Sequence, residues 1–148
     1  MRETVLAAIE TKLETLLAEP LSWPLVRRNY PGRVAAAQCP AALMFDGGET
    51  AQDYVSCQVQ IEMPVEIDVL VRASDSDGTG PEFSERLAEL KALFMADETL
   101  NGTVTRVRYQ GCTDPVLDEE MGGSPLVIAT TTFLVLFEHR ETNPYLAA

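Results

Sequence analysis

From Val55 to Val71 every odd position is apolar or Cys: Val55, Cys57, Val59, Ile61, Met63, Val65, Ile67, Val69 and Val71. The even positions are mostly polar, among them Gln58, Gln60, Glu62, Glu66 and Asp68. Alternation held this long means extended chain with one face buried and one wet. Seventeen such residues reach roughly 56 Å at about 3.3 Å each. A compact chain of 148 residues has a diameter of roughly 38 Å. The run therefore bends, or it projects beyond the body it belongs to. Pro64 lies on its polar face and cannot donate a ladder hydrogen bond, so it marks an edge, a bulge or a bend. A projecting strand leaves apolar surface in water at about 25 cal/mol per Å². A second subunit removes that cost, so the expected interface is the strand face of Val65, Ile67, Val69 and Val71. The alternative is a monomer in which Pro64 divides two ordinary strands.

The rest of the chain supplies a body for this strand. Val5, Leu6, Ile9, Leu13, Leu16 and Leu17 recur at helical spacing, which predicts an amphipathic helix from Arg2 to Ala18, stopped by Pro20 and Pro24. Leu25 to Asn29 and Ala41 to Phe45 read as short strands, the second closed by a turn at Asp46-Gly47-Gly48-Glu49. Asp75 to Gly80 reads as a loop. Pro81 then suits the first turn of a helix that buries Phe83, Leu87, Leu90 and Phe94 and ends near Asp97. Thr103 to Gln110 alternates again, and Gly111 to Ser124 reads as an acidic loop. Pro125 to Arg140 is a last long strand, apolar on both faces and hence central. Residues 140–148 read as a flexible tail. The order predicts a single α+β domain over residues 1–148. It holds a mixed, mainly antiparallel sheet of four to five strands with two helices packed on it.

Composition sets limits on function. Hydrophobic residues at 46% and charged residues at 23% are those of an ordinary globular chain. No apolar run is long enough to span a bilayer, and charges at Glu10, Lys12 and Glu14 break any signal-peptide core. The net charge of −12 argues against gripping nucleic acid through its phosphates. Cys39, Cys57 and Cys112 are odd in number and widely spaced, which reads as three buried small residues rather than disulfides or a zinc site.

No catalytic motif is present. His139, the single histidine, stands without a G-x-S-x-G serine and reads as structural or superficial. Asp114, Asp118, Glu119 and Glu120 lack calcium-loop spacing. They read as a solvated loop or as a contact surface for a basic partner. Glu62, Glu66 and Asp68 look like an exposed polar strand face, and Gly47-Gly48 and Gly122-Gly123 lie in no phosphate-binding motif. The sequence thus predicts no catalytic residue, no metal and no cofactor.

The order of these pieces carries a resemblance. It rests on the N-terminal helix, the strand closing in Asp46-Gly47-Gly48-Glu49, and the long strand ending Val69-Leu70-Val71-Arg72-Ala73. It continues through the helix end Leu93-Phe94-Met95-Ala96-Asp97-Glu98-Thr99-Leu100, then Val107-Arg108-Tyr109 and Thr113-Asp114-Pro115-Val116-Leu117-Asp118. The last pieces are Phe133-Leu134-Val135-Leu136-Phe137-Glu138-His139-Arg140 and Asn143-Pro144-Tyr145. Together they resemble the tail terminator proteins of long-tailed bacteriophages and related phage-like particles, with Pro64 as a departure. The resemblance implies a virion protein at the head-proximal end of the tail, made in the host cytoplasm. Its subunits would form a hexameric ring that caps the tail tube, stops its polymerisation and meets the neck of the filled head. The implied partners are further copies of the chain, the major tail tube protein and a head or neck connector, with DNA passing through and no membrane. Six copies of −12 give about −72, which repels a duplex rather than holding it. The alternatives are another head-completion or tail-tube subunit, and a small ligand-binding or hydrolytic α+β domain.

Overall fold

The last fourteen residues of the alternating run and Arg72 after them, Gln58–Arg72, form one uninterrupted strand, and the fifteen residues Leu126–Arg140 form another. The two pair antiparallel over their whole length, from Gln58 opposite Arg140 to Arg72 opposite Leu126. Each extends about 50 Å. The computed structural model describes residues 1–55, 58–73, 76–118, 125–140 and 143–147. Along the chain the elements are α1 (Arg2–Glu14), β1 (Leu25–Arg28), β2 (Ala41–Phe45), β3 (Thr50–Val55), β4 (Gln58–Arg72) and α2 (Ser76–Met95). Then follow β5 (Arg106–Cys112), β6 (Val116–Asp118), β7 (Leu126–Arg140) and β8 (Asn143–Ala147). All eight strands belong to one mixed sheet of order β1-β2-β4-β7-β5. β3 shares the outer side of β4 with β2, and β6 and β8 share the outer side of β7 with β5. Among the described strands only β1 and β2 pair in parallel. The fold is α+β, as the order of segments predicts, with two helices on a sheet wider than four to five strands.

The helices cover one face of the sheet. Val5, Leu6, Ile9 and Leu13 of α1 and Phe83, Leu90 and Phe94 of α2 enter a single core with the odd-numbered residues of β4 and β7. Each fully buried aliphatic or aromatic side chain here contributes about 1.5–3 kcal/mol. Phe94 and Tyr109 pack on the Phe133 ring at 4.7 and 5.5 Å between centroids. A smaller cluster of Leu25, Val34, Ala41, Leu43, Leu70 and Leu126 buries part of the opposite face. β7 is therefore central, with buried residues on both of its faces at the Leu126 end.

Pro64 neither bends β4 nor ends it. Its carbonyl faces the gap between β2 and β3, where Gly47 approaches so closely that a Cβ there would collide with the Pro64 oxygen. In an extended strand the N and O of one residue point to the same side, so the missing N–H also faces the gap and costs no bond to β7.

Several boundaries differ from expectation. Val55 ends β3 and lies opposite Gln58, so the alternating run crosses a chain reversal. An antiparallel pair keeps its alternation in both strands, which hides the turn from the pattern. α2 begins at Ser76, five residues before Pro81, which sits inside the helix and forfeits one ladder bond. The segment Leu100-Asn101-Gly102 has positive φ, so β5 starts only at Arg106. Beyond Tyr109 a register shift at Gly111 carries β5 into the expected loop. Within the expected loose tail of residues 140–148, Asn143–Ala147 pairs with the end of β7 as an edge strand, where Pro144 is tolerated; residues 141, 142 and 148 lie outside the described residues. Cys57, Asp75, Glu119 and Glu120 lie outside the described residues.

Candidate interaction surfaces

The expected interface residues Val65, Ile67, Val69 and Val71 are each 0% exposed. This corrects the sequence reading: α1 and α2 of the same subunit cover that face, so no neighbour reaches it. A sphere of roughly 38 Å cannot hold strands of about 50 Å, whereas a sheet with two helices laid along it can.

The expected docking loop divides. Asp114 is exposed, and Asp118 is half-buried at the end of β6. Between them lies a strand the pattern did not predict. β6 pairs with β7 through Val116 opposite Ile128, Leu117 opposite Val127 and Asp118 opposite Leu126. Val116 is 64% exposed and Leu117 is 50% exposed. An open hollow of about 570 Å³ runs beside them, floored by Ile128 and Thr130. The base of the strand is fixed by polar contacts. Thr113 N–H donates to the Thr130 carbonyl at 2.9 Å, Thr130 N–H donates to Thr113 Oγ1 at 2.9 Å, and the Thr130 hydroxyl donates to Asp68 Oδ1 at 2.7 Å. The sequence signal for β6 is an apolar pair enclosed by acids, too short for a period to be read.

At the opposite margin β1 presents a different chemistry. Asn29 N–H reaches the Met44 carbonyl of β2, so along β1 Val26 and Arg28 turn their backbone groups outward. The exposed Arg27 side chain donates to the Val26 carbonyl at 3.2 Å, along its own strand. Arg28 ties three elements together. Its guanidinium donates to both Glu3 oxygens at 2.6 and 3.0 Å and to both Asp46 oxygens at 2.8 Å. These bonds hold the Glu3 and Asp46 carboxyls below their ordinary values, and the two carboxylates push Arg28 further toward the charged form.

The titratable groups considered for chemistry are dispersed. His139 lies half-buried beside a hollow lined by Met1, Arg2, Glu3, Glu49 and Phe137. Asp68 is held by Thr130. Among the described residues no three His, Cys, Asp or Glu side chains are grouped to hold a metal ion. Cys39 and Cys112 are half-buried rather than buried. Burial pushes the Cys39 thiol up to about 11 and raises Cys112 as well, so both stay protonated at neutral pH. Sequence reasoning passed over Trp23, which is buried and donates to Glu89 Oε2 at 2.8 Å. Glu89 also receives Arg86, whose Nε is buried without a partner among the described residues. No described helix is long and apolar enough to cross a membrane.

No family model matches the chain, and no curated protein matches it. Solved structures do, 24 chains in all. One, whose name states no activity, aligns over 93% of this chain and 96% of its own length, at 18% identity and a TM-score of 0.56. At that identity the likeness concerns the fold: the same α+β arrangement over nearly the whole of both chains.

Proposed function

We propose that this chain is a structural subunit of a phage or phage-like tail, a tail terminator. Copies of it form a ring on the tube, halt tube growth and offer a face to the neck, while DNA passes through. The sequence resemblance spans nearly the whole chain. The observation that carries the reading is that, among the described residues, the sheet has two open margins, one of which exposes Val116 and Leu117. Subunits with two different open margins can join head to tail, and such contacts form a ring where the rotation between neighbours closes and a filament where it does not. The strong negative charge suits a channel that must release DNA.

The experiment is native mass spectrometry and negative-stain imaging of the purified protein, alone and with the major tail tube protein. Rings are expected in at least the second sample. A strict monomer in both overturns the reading. A deletion should give overlong tails; normal tails with unjoined heads would assign the chain to the neck instead. For a ligand-binding or hydrolytic role, the discriminating variant is His139→Ala, which should leave assembly and infectivity unchanged.

A further inference from the structure

The two margins of the sheet match each other in level and direction. Leu25 of β1 lies opposite Ala41, Ala41 opposite Leu70, Leu70 opposite Ile128, and Ile128 opposite Val116. Leu25 and Val116 therefore stand at the same height on the two sides of the sheet. Arg27 connects in the same way through Leu43 and Asp68 to Thr130, which Thr113 bonds, and Asp114 is the next residue. The directions also agree. β1, β2 and β7 run one way; β6 runs the other.

We infer that β6 of one subunit pairs antiparallel with β1 of the next copy, continuing the sheet from subunit to subunit. This rests on the ring reading above and names its contact. A neighbour displaced sideways, with no shift along the strands, sets Val116 beside Leu25 and Asp114 beside Arg27. The pairing covers the exposed apolar residues of β6 and gives the Val26 and Leu117 N–H groups the carbonyls of Pro115 and Pro24, while the two prolines return no N–H to the Val26 and Leu117 carbonyls. It also opposes an acid to a base, where opposite charges across strands attract and like charges repel. Pairing β6 with a second β6 would instead bring Asp114 and Asp118 against their own kind. Arg27 serves two acceptors: its Nη1 stays on the outward carbonyl of Val26, which Pro115 cannot serve, and its Nη2 meets Asp114 on contact. The absence of a shift along the strand direction matters for closure, because a head-to-tail contact with such a shift climbs into a filament.

The test compares the wild type with Val116→Lys/Leu117→Lys, and with Arg27→Glu and Asp114→Arg singly and combined. Native mass spectrometry is run with and without tube protein, and circular dichroism follows the fold. The expected result is loss of the oligomer in the lysine variant with its melting temperature unchanged. Each single charge reversal should raise the concentration needed for assembly severalfold, and the combination should restore it. Wild-type assembly persisting in the lysine variant would overturn the β6 contact and leave the ring reading standing. A folded double reversal that stays as impaired as the single ones would overturn the β1 pairing. A wild type monomeric under all conditions would remove both.

Discussion

The apolar residues of β4 and those of β6 meet opposite fates. Val65 and Ile67 belong to a strand long enough to suggest that a neighbour must complete it, yet they are 0% exposed inside their own subunit. Val116 and Leu117 belong to three residues at the sheet edge and are 64% and 50% exposed. Strand length is thus a poor guide to where a fold is incomplete. What decides is whether a helix of the same chain lies over the strand. α1 and α2 lie over β4, while among the described residues no strand pairs with the outer edge of β6.

The contrast can be broken most forcefully from inside. Val65→Asp or Ile67→Asp puts an unpaired charge into a closed core, at a cost of several kcal/mol. Loss of the cooperative thermal transition is expected, and native-like melting of either variant would place that face outside the core. Gly47→Ala comes next. Its methyl meets the rigid Pro64 carbonyl, so about 1–3 kcal/mol should be lost by denaturant titration.

Arg28→Met is smaller, about 1 kcal/mol at pH 7 through its bonds to Asp46. It also has a pH signature. The Glu3 and Asp46 carboxyls sit below their ordinary values of 4.5 and 3.8, so their contribution is complete above those values. It is lost as pH falls through the lowered ones. Wild-type stability should drop across that acid range, and the drop should shrink in Arg28→Met. Smallest is Val116→Lys/Leu117→Lys, which should change subunit stability by no more than about 0.5 kcal/mol. A larger loss would show that these side chains already serve the lone subunit.

Much of the fold was legible because its periods are long. Val5, Leu6, Ile9 and Leu13 mark one stripe of α1, and the odd residues of β4 and β7 mark one face over fifteen positions each. Reversals were not legible. Nothing in the alternation from Val55 onward distinguishes one strand from two paired ones, and Asn143–Ala147 carries too few positions to set a period. The apolar face of β4 was read correctly as buried but given the wrong cover. The candidate surface was visible only in part. Asp114 and Asp118 stood out by charge, whereas Val116 and Leu117 became notable only once their exposure was known. Trp23 has a single polar atom, and nothing in its neighbourhood along the chain announces Glu89, 66 residues away.

The position of β7 also orders events in time. Its residues 126–140 lie between β4 and β5, so the core cannot close until residue 140 has left the ribosome. Until then the apolar side of β4 lacks its main neighbour, and the helices have only half a floor to settle on. Chains interrupted before Pro125 would carry that bare surface permanently, so synthesis that stalls late should yield aggregates rather than shortened but working subunits.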